Sequence, residues 1–320
     1  MGIAAYLLSE NIMELKYYSF NKYLRDKFSQ RVHRISLDAG FTCPNIDGTL
    51  SNDGCDYCNN KAFSVYAETR KPLDAQIKES IKYYSKRFSA EKFIAYFQAY
   101  SGTYAEIGRL KEVYDVIKKF PQIIGLFIST RPDCVDKNKI ELISSYQDKF
   151  LVWIEYGLQT THNDILESIN RGHTYEDFLD AIRLTREYDI NVGVHMIVGL
   201  PGVDYEMLMC DAKRIASLDV QGIKIHSLHV LRNTRLQEKY LSGEVKLLSR
   251  DEYVHSVCDY LEVLPKDMVI LRLAATALDK YLVAPLWIND KHKVLEAVQN
   301  EFIKRKTYQG SFYESSCQPG

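Results

Sequence analysis

The stretch Gly40-Phe41-Thr42-Cys43-Pro44-Asn45-Ile46-Asp47-Gly48-Thr49-Leu50-Ser51-Asn52-Asp53-Gly54-Cys55-Asp56-Tyr57-Cys58-Asn59-Asn60 decides how this chain is read. Three cysteines, Cys43, Cys55 and Cys58, stand at C-x11-C-x2-C spacing. Between Cys43 and Cys55 lie one Pro, two Gly, two Asp and two Asn. Those residues favour turns and positive φ, so the thiols sit on a loop able to fold back on itself. No fourth thiol or imidazole lies close by in the sequence.

Three thiolates suit a metal centre that keeps one position open. A structural zinc site takes four protein ligands, and a plain electron-transfer cluster takes four cysteines. A [4Fe–4S] cluster on three cysteines leaves one iron free for a small molecule. A zinc loop, or three unrelated buried thiols, remains the plainer alternative at this point.

Working outward, the chain has 320 residues, 46% of them hydrophobic, enough for one large core or two modest ones. The net charge of −1 gives no overall field toward nucleic acid or membrane. Seven cysteines, an odd number and mostly unclustered, point to a reducing compartment. No apolar run is long enough to span a membrane, and Met1–Glu10 lacks a basic n-region and a cleavage site. The expectation is a cytoplasmic protein. Lys16, Lys22, Arg25, Lys27, Arg31 and Arg34 make residues 14–34 locally basic. Such a run can touch phosphates, but a solvated helix face is the commoner outcome and is expected here.

Short apolar runs alternate with helical periodicity. Strands are expected at 32–37, 92–100, 123–129, 151–156, 192–198, 222–229 and 268–273. Helices are expected at 72–88, 107–117, 137–146, 174–188, 204–218, 249–264 and 294–303. Thr174 with Asp177, and Ser249 with Glu252, form capping boxes, and Asp204 is a further cap. The pattern implies right-handed βαβ units and a parallel sheet, as a barrel or an open doubly wound sheet. No G-x-G-x-x-G follows the first strand.

In such architectures chemistry gathers at the carboxyl ends of the strands. Those ends carry Gln98, Tyr100, Ser101 and Thr103; Ser129, Thr130, Arg131 and Asp133; Gln159 and Thr160; and Gly199–Gly202. Glu155, His195, Lys224, His226 and His229 lie within or just after the strands. Each has a bland reading: Arg131 can pair with Asp133, and the histidines can be satisfied core groups. Lys224 inside an apolar strand needs a partner. Cys134, Cys210 and Cys258 have no ligand spacing and are expected to be packing residues; Cys317 lies in a polar tail.

The ordered blocks are Gly-Phe-Thr-Cys-Pro-Asn-x-Asp-Gly-Thr, Gly-Cys-x-x-Cys, Ala-Tyr-Phe-Gln-Ala-Tyr, Thr-Arg-Pro-Asp-Cys, Glu-x-Gly-Leu-Gln-Thr, Asn-Arg-Gly-His, Ile-Val-Gly-Leu-Pro-Gly, Gly-Ile-Lys-Ile-His and Leu-Val-Ala-Pro-Leu-Trp. From about His33 to Trp287 they resemble the YhcC-like family of radical S-adenosylmethionine (SAM) proteins. That wider group includes the catalytic subunit of Elongator and the oxygen-independent coproporphyrinogen oxidase. The resemblance implies an α/β fold, a partial (β/α)6 TIM-like barrel with a C-terminal α extension. It implies a [4Fe–4S] cluster on Cys43, Cys55 and Cys58, with SAM as cofactor. Gln159 and Arg171 fall where relatives hold the SAM ribose and carboxylate. Gln98–Ser101, with Tyr100, stands where a Gly-Gly-Glu-type motif meets the SAM amino group, although the glycines are lacking. His195 falls where the oxidase has an Asp near the ribose, and Thr130 and Arg131 join the cofactor-binding set.

The implied activity is reductive cleavage of SAM to a 5′-deoxyadenosyl radical that takes hydrogen from a substrate, an RNA base in tRNA or a small molecule. A one-electron donor such as flavodoxin or ferredoxin is implied as partner. The rival is a non-catalytic Zn or Fe–S binding module for RNA or a protein, which predicts a fourth ligand beside the three thiols. The expected layout is an N-terminal basic helical extension (1–31), the radical SAM core (32–235), a C-terminal extension completing the barrel (236–306) and a flexible tail (307–320).

Overall fold

The computed structural model describes residues 15–62, 66 and 71–314. The chain opens with α1 (Phe20–Phe28). Ser19 starts it by accepting a hydrogen bond from the Lys22 amide, and Ser29 ends it in the left-handed region at φ 53°.

Strands and helices then alternate: β1 (Val32–Leu37), α2 (Leu73–Phe88), β2 (Lys92–Phe97), α3 (Ile107–Asp115), β3 (Ile123–Thr130), α4 (Lys137–Ser144), β4 (Leu151–Gln159), α5 (Asn163–Ser168), α6 (Tyr175–Arg186), β5 (Asn191–Val198), α7 (Tyr205–Ala216) and β6 (Gly222–Ser227). The remainder comprises β7 (Val230–Leu231), α8 (Arg235–Leu241), α9 (Arg250–Glu262), β8 (Val269–Arg272), β9 (Leu282–Ala284) and α10 (Lys291–Arg305). Both expected capping boxes form, and Asp204 caps α7 by accepting from the Met207 amide. The sequence reading missed α5, α8 and the short β7–β9 pair.

Sheet order decides between the two architectures the periodicity left open. The large sheet runs β1-β2-β3-β4-β5-β6-β8, with every pair parallel. Strands follow one another in chain order with no reversal point, unlike a doubly wound sheet. The fold is a partial barrel of six β/α units, with a seventh strand supplied by the C-terminal extension. No described helix is long and apolar enough to cross a membrane.

Each strand has two faces with a period of two. One face, including Leu126, Ile128, Ile154, Tyr156, Val192 and Val194, packs under the helices in the main core. The other face looks into the barrel. Near the strand starts that interior is apolar, with Ile94, Phe127, Trp153 and Leu271. Helix α1 closes this end: the Phe20 ring sits 5.7 Å from Phe127 and the Tyr23 ring 5.6 Å from Trp153. A Cβ on Gly222 would lie 2.9 Å from Trp153 Cζ3, so glycine there makes room for the indole.

Two expectations are corrected. The basic run at 14–34 is not one helix face. The helix ends at Phe28, and Arg34 lies on β1, where it ion-pairs inside the barrel with Glu155 at 3.1 Å. The exposed cations of α1 sit at the end of the barrel opposite the strand termini. Nor is the chain free from Thr307 onward. The Gln309 side chain donates to the carbonyls of Pro265 and Met268 at 2.6 and 2.8 Å, and the Phe312 amide donates to the Glu262 carbonyl at 2.7 Å. Residues 315–320, with Cys317, lie outside the described residues, as do Met1–Glu14.

Candidate functional site

The cysteine loop leaves β1 and folds over the carboxyl end of the barrel. Its turns are local: the Ile46 amide donates to the Cys43 carbonyl at 2.9 Å, and the Cys58 amide donates to the Cys55 carbonyl at 2.9 Å. It is clamped to the segment after α5. Asn45, 1% exposed, donates its amide to the Asn170 carbonyl at 2.6 Å, and Asn170 donates back to the Gly54 carbonyl at 2.6 Å. The backbone adds Asp56 N–H to Ile169 C=O at 3.0 Å.

Donors converge on the sulfurs. Asn45 Nδ2 and Arg171 Nη1 each lie 3.4 Å from Cys55 Sγ, and Asn60 Nδ2 lies 3.4 Å from Cys58 Sγ. Arg171 is buried; its Nη2 donates to the Gly157 carbonyl at 2.6 Å, and its Nε has no partner among the described residues. A second buried guanidinium, Arg131, donates to the Arg171 carbonyl at 2.7 Å and pairs with Asp133 at 2.7 Å. Burial pushes the Cys58 thiol up to about 12; Cys55 and Cys43 push the same way, while Arg171 and Arg131 oppose them. Burial likewise raises Cys43, with Arg131 and Arg171 again opposing. The three thiols thus share one electrostatic neighbourhood with two guanidinium groups. Among the described residues, no three His, Cys, Asp or Glu side chains are grouped so as to hold a single metal ion.

Beside the loop, a cavity of about 170 Å³ opens inside the barrel, with Tyr57, Gln98, Ser129, Gln159, His195 and Arg272 on its wall. At its floor is a buried polar cluster. Glu155, fully buried on β4, accepts from Lys224 Nζ at 2.5 Å, from the Tyr96 hydroxyl at 2.8 Å and from Arg34 Nη1 at 3.1 Å. His195 Nε2 lies 2.6 Å from the same carboxylate. The cluster holds Glu155 well below the usual carboxylate range: burial opposes this, but Lys224, His195 and Arg34 outweigh it. Burial lowers Lys224 to about 7 despite the carboxylate, and burial with Lys224 lowers His195 to about 4. So Lys224 has its partner, and the strand residues Glu155, His195 and Lys224 form one unit.

Of the expected cofactor-binding residues, Gln98, Gln159 and His195 face the cavity, and Arg171 and Arg131 stand by the thiols. The Tyr100 amide donates to Asn60 Oδ1 at 3.0 Å, tying the end of β2 to the loop. Ser101 and Thr130 turn inward: their hydroxyls meet at 2.8 Å, and Thr103 joins Thr130 at 2.6 Å. They brace the strand ends beneath the loop. Cys258 is buried in the main core, as expected, whereas the buried Cys134 sits by Asp133, Ser101 and Arg131 at the strand ends. Sequence reasoning missed Asn45, Tyr57, Tyr96, Asn170 and Arg272. Arg272 carried a usable signal, a cation closing an apolar strand, the same signal that flagged Lys224.

Comparison with known proteins identifies the family. The "Radical SAM superfamily" domain matches residues 48–214, and the "Radical_SAM C-terminal domain" matches residues 220–304. The chain is 35% identical over 302 residues to YtqA of Bacillus subtilis, covering 94% of each. It is 32% identical over 269 residues to YhcC of Escherichia coli, covering 84% of this chain and 86% of that one. A tRNA uridine(34) acetyltransferase of Methanocaldococcus jannaschii is 31% identical over 147 residues, 45% of this chain and 26% of that protein. Among solved structures, Elp3 of Methanocaldococcus infernus superposes with a TM-score of 0.64 at 18% identity, covering 87% of this chain and 64% of that one. The chain belongs to the radical SAM superfamily, within its YhcC-like family, whose cofactors are a [4Fe–4S] cluster and S-adenosylmethionine.

Proposed function

We propose that this protein is a radical SAM enzyme acting on a tRNA base, with Cys43, Cys55 and Cys58 as the cluster ligands. The observation that carries the reading is that Cys43, Cys55 and Cys58 share one charge neighbourhood with two buried guanidinium groups, while the side-chain amides of Asn45 and Asn60 reach Cys55 and Cys58. That donor set fits an anionic thiolate-bound cluster: hydrogen bonds to sulfur and nearby positive charge stabilise thiolates and tune a cluster's potential. Cys43, Cys55 and Cys58 would hold the cluster, which would supply the single electron for reductive cleavage of SAM and so the radical chemistry on the substrate.

The chain's own residues do the rest. Arg171 and Arg131 hold positive charge beside the sulfurs. Gln98, Gln159 and His195, with Tyr57, supply polar contacts on the cavity wall for SAM and substrate. The apolar plug made by α1 shuts the far end of the barrel, which keeps water from a reactive radical. Support for tRNA comes from the likeness to a tRNA uridine(34) acetyltransferase over 45% of this chain. The basic segment lends none, because α1 lies at the opposite end from the cavity. A cytoplasmic flavodoxin or ferredoxin would serve as electron donor.

The test is anaerobic reconstitution, then SAM with dithionite. Formation of 5′-deoxyadenosine is the expected result, and a colourless protein holding one zinc would sink the reading. For the substrate, tRNA nucleosides from cells with and without the gene should differ in one modified base; identical profiles would remove tRNA.

Gly157 offers a subtler check. A Cβ there would lie 2.7 Å from Arg171 Nη2 and 2.9 Å from Gln159 Nε2. Arg171 would have to leave the Gly157 carbonyl, losing a hydrogen bond worth about 1–3 kcal/mol, and its approach to Cys55. Gly157→Ala is expected to stay folded but retain several-fold less iron after desalting. Iron content equal to wild type would show that Arg171 does not support the cluster.

A further inference from the structure

The barrel floor carries more cationic groups than its one carboxylate pairs. Arg34, Lys224 and Arg272 all face this interior, yet Glu155 is the only carboxylate there among the described residues. Both Glu155 oxygens are already used, one by Arg34 and the other by Lys224 and Tyr96. The Arg272 side chain makes no hydrogen bond or ion pair among the described residues, although it lines the cavity. Its position is built by the sheet. The β6–β8 ladder slips by one residue between the pairs Ile223↔Ile270 and Lys224↔Arg272. That irregularity sets Arg272 level with Lys224 and aims it into the barrel, a recurring use of bulges beside active sites. Burial and the like charge of Arg34 disfavour the guanidinium's charge and outweigh the help from Tyr96 and Glu155, and Lys291 lies in the same cationic field. On the same wall, Ser227 Oγ is buried with no hydrogen-bond partner among the described residues. A half-buried cation with no ion-pair partner of its own and an unsatisfied buried hydroxyl are each costly, so a ligand group that satisfies both is the economical explanation.

We infer that the cavity binds a substrate whose inserted end carries an anionic group, a carboxylate or a phosphate, gripped by Arg272 with Ser227 beside it. The planar fork of Arg272 suits two oxygens of either anion. SAM does not supply the missing charge by its overall balance, because its sulfonium and ammonium groups outweigh its one carboxylate. This inference rests on the cavity being the substrate site proposed above, but its test does not depend on catalysis.

The experiment is calorimetric titration of the anaerobically reconstituted holoenzyme with sodium phosphate and with sodium acetate, each against chloride at matched ionic strength. At least one of the two anions is expected to bind more tightly than chloride. Its affinity should fall roughly tenfold or more in Arg272→Gln, and less in Arg272→Lys. Binding of phosphate alone assigns a phosphate-bearing substrate, acetate alone a carboxylate, and both the shared chemistry. Neither anion exceeding chloride in wild type overturns the inference, whether or not Arg272→Gln folds. So does an unchanged affinity in Arg272→Lys and Arg272→Gln. An Arg272→Gln variant that loses SAM affinity in the same proportion would assign the anion to SAM's own carboxylate and also overturn it. A holoenzyme that makes 5′-deoxyadenosine but binds no anion loses only this inference. One that binds the anion but makes no 5′-deoxyadenosine loses only the enzymatic reading.

Discussion

Alanine in place of Cys58 is expected to take SAM cleavage below ~1% of wild type, because it deletes one of three proposed ligands and not a contact that merely tunes the site. The fold should survive. Cys58 belongs to none of the apolar core clusters and sits on a loop whose turns are held by backbone bonds and by Asn45 and Asn170. Its far-ultraviolet circular dichroism and unfolding midpoint should therefore stay close to wild type, while iron and sulfide content after reconstitution collapses. The contrast is Cys258→Ala. That thiol is buried on α9 with Sγ 3.7 Å from the Val298 carbonyl. Its loss should cost about 1–2 kcal/mol of stability and leave cleavage untouched. Both readouts are needed, iron per chain and 5′-deoxyadenosine per minute. A Cys58→Ala protein with full iron and normal turnover would end the three-thiol assignment.

The contrast between those two cysteines also shows what a sequence discloses and what it hides. The loop thiols were readable because their meaning is local: spacing and turn-forming neighbours lie within one stretch. Helix starts were readable for the same reason, since Thr174 and Asp177, or Ser249 and Glu252, complete their boxes within four residues. Strand identity followed from continuous apolar runs. The barrel interior was not readable in that way. Arg34 and Glu155 are 121 positions apart, and Glu155 and Lys224 are 69 apart. They meet only because parallel register sets β1, β4 and β6 around one lumen, and no local rule supplies register. Arg34 was grouped with a helix by its basic neighbours, although Ser29 at φ 53° ends that helix first. Arg272 faces inward through a slip in the β6–β8 ladder, which strict alternation cannot anticipate. The hydroxyls of Ser101 and Thr130 read as site groups by position, yet at the end of a parallel sheet they satisfy each other.

The same interior yields the largest expected effect on stability. Glu155→Gln keeps the shape of the side chain but withdraws the charge that Arg34 and Lys224 share. Breaking a buried pair by removing one partner costs about 3–5 kcal/mol, since the other charge stays buried, and in a protein of this size that lowers the melting temperature by on the order of 10 °C. Lys224 can shed part of that cost by losing its proton; Arg34 cannot, although its guanidinium also rests 4.7 Å from the Tyr96 ring centre. The pH dependence follows with a definite sign. Glu155 is held below its ordinary range in the fold, so its stabilisation is present above the unfolded carboxylate pKa and is lost as acid protonates it. The gap between wild type and Glu155→Gln should therefore narrow below about pH 4.5. Burial already lowers Lys224 to about 7. Without the carboxylate it falls further, so the variant starts to gain stability below neutrality, where the unfolded chain holds the extra proton, while above neutrality both proteins gain alike. The gap should therefore narrow as pH approaches 7 and stay level above it, leaving it widest near pH 5. Adding Lys224→Met to Glu155→Gln should recover part of the loss, because a hydrophobic residue of similar length needs no counterion. Urea midpoints of the single and double variants across that range decide it: a flat, sub-kilocalorie difference at every pH would mean that the carboxylate and its cations are not coupled in the folded protein.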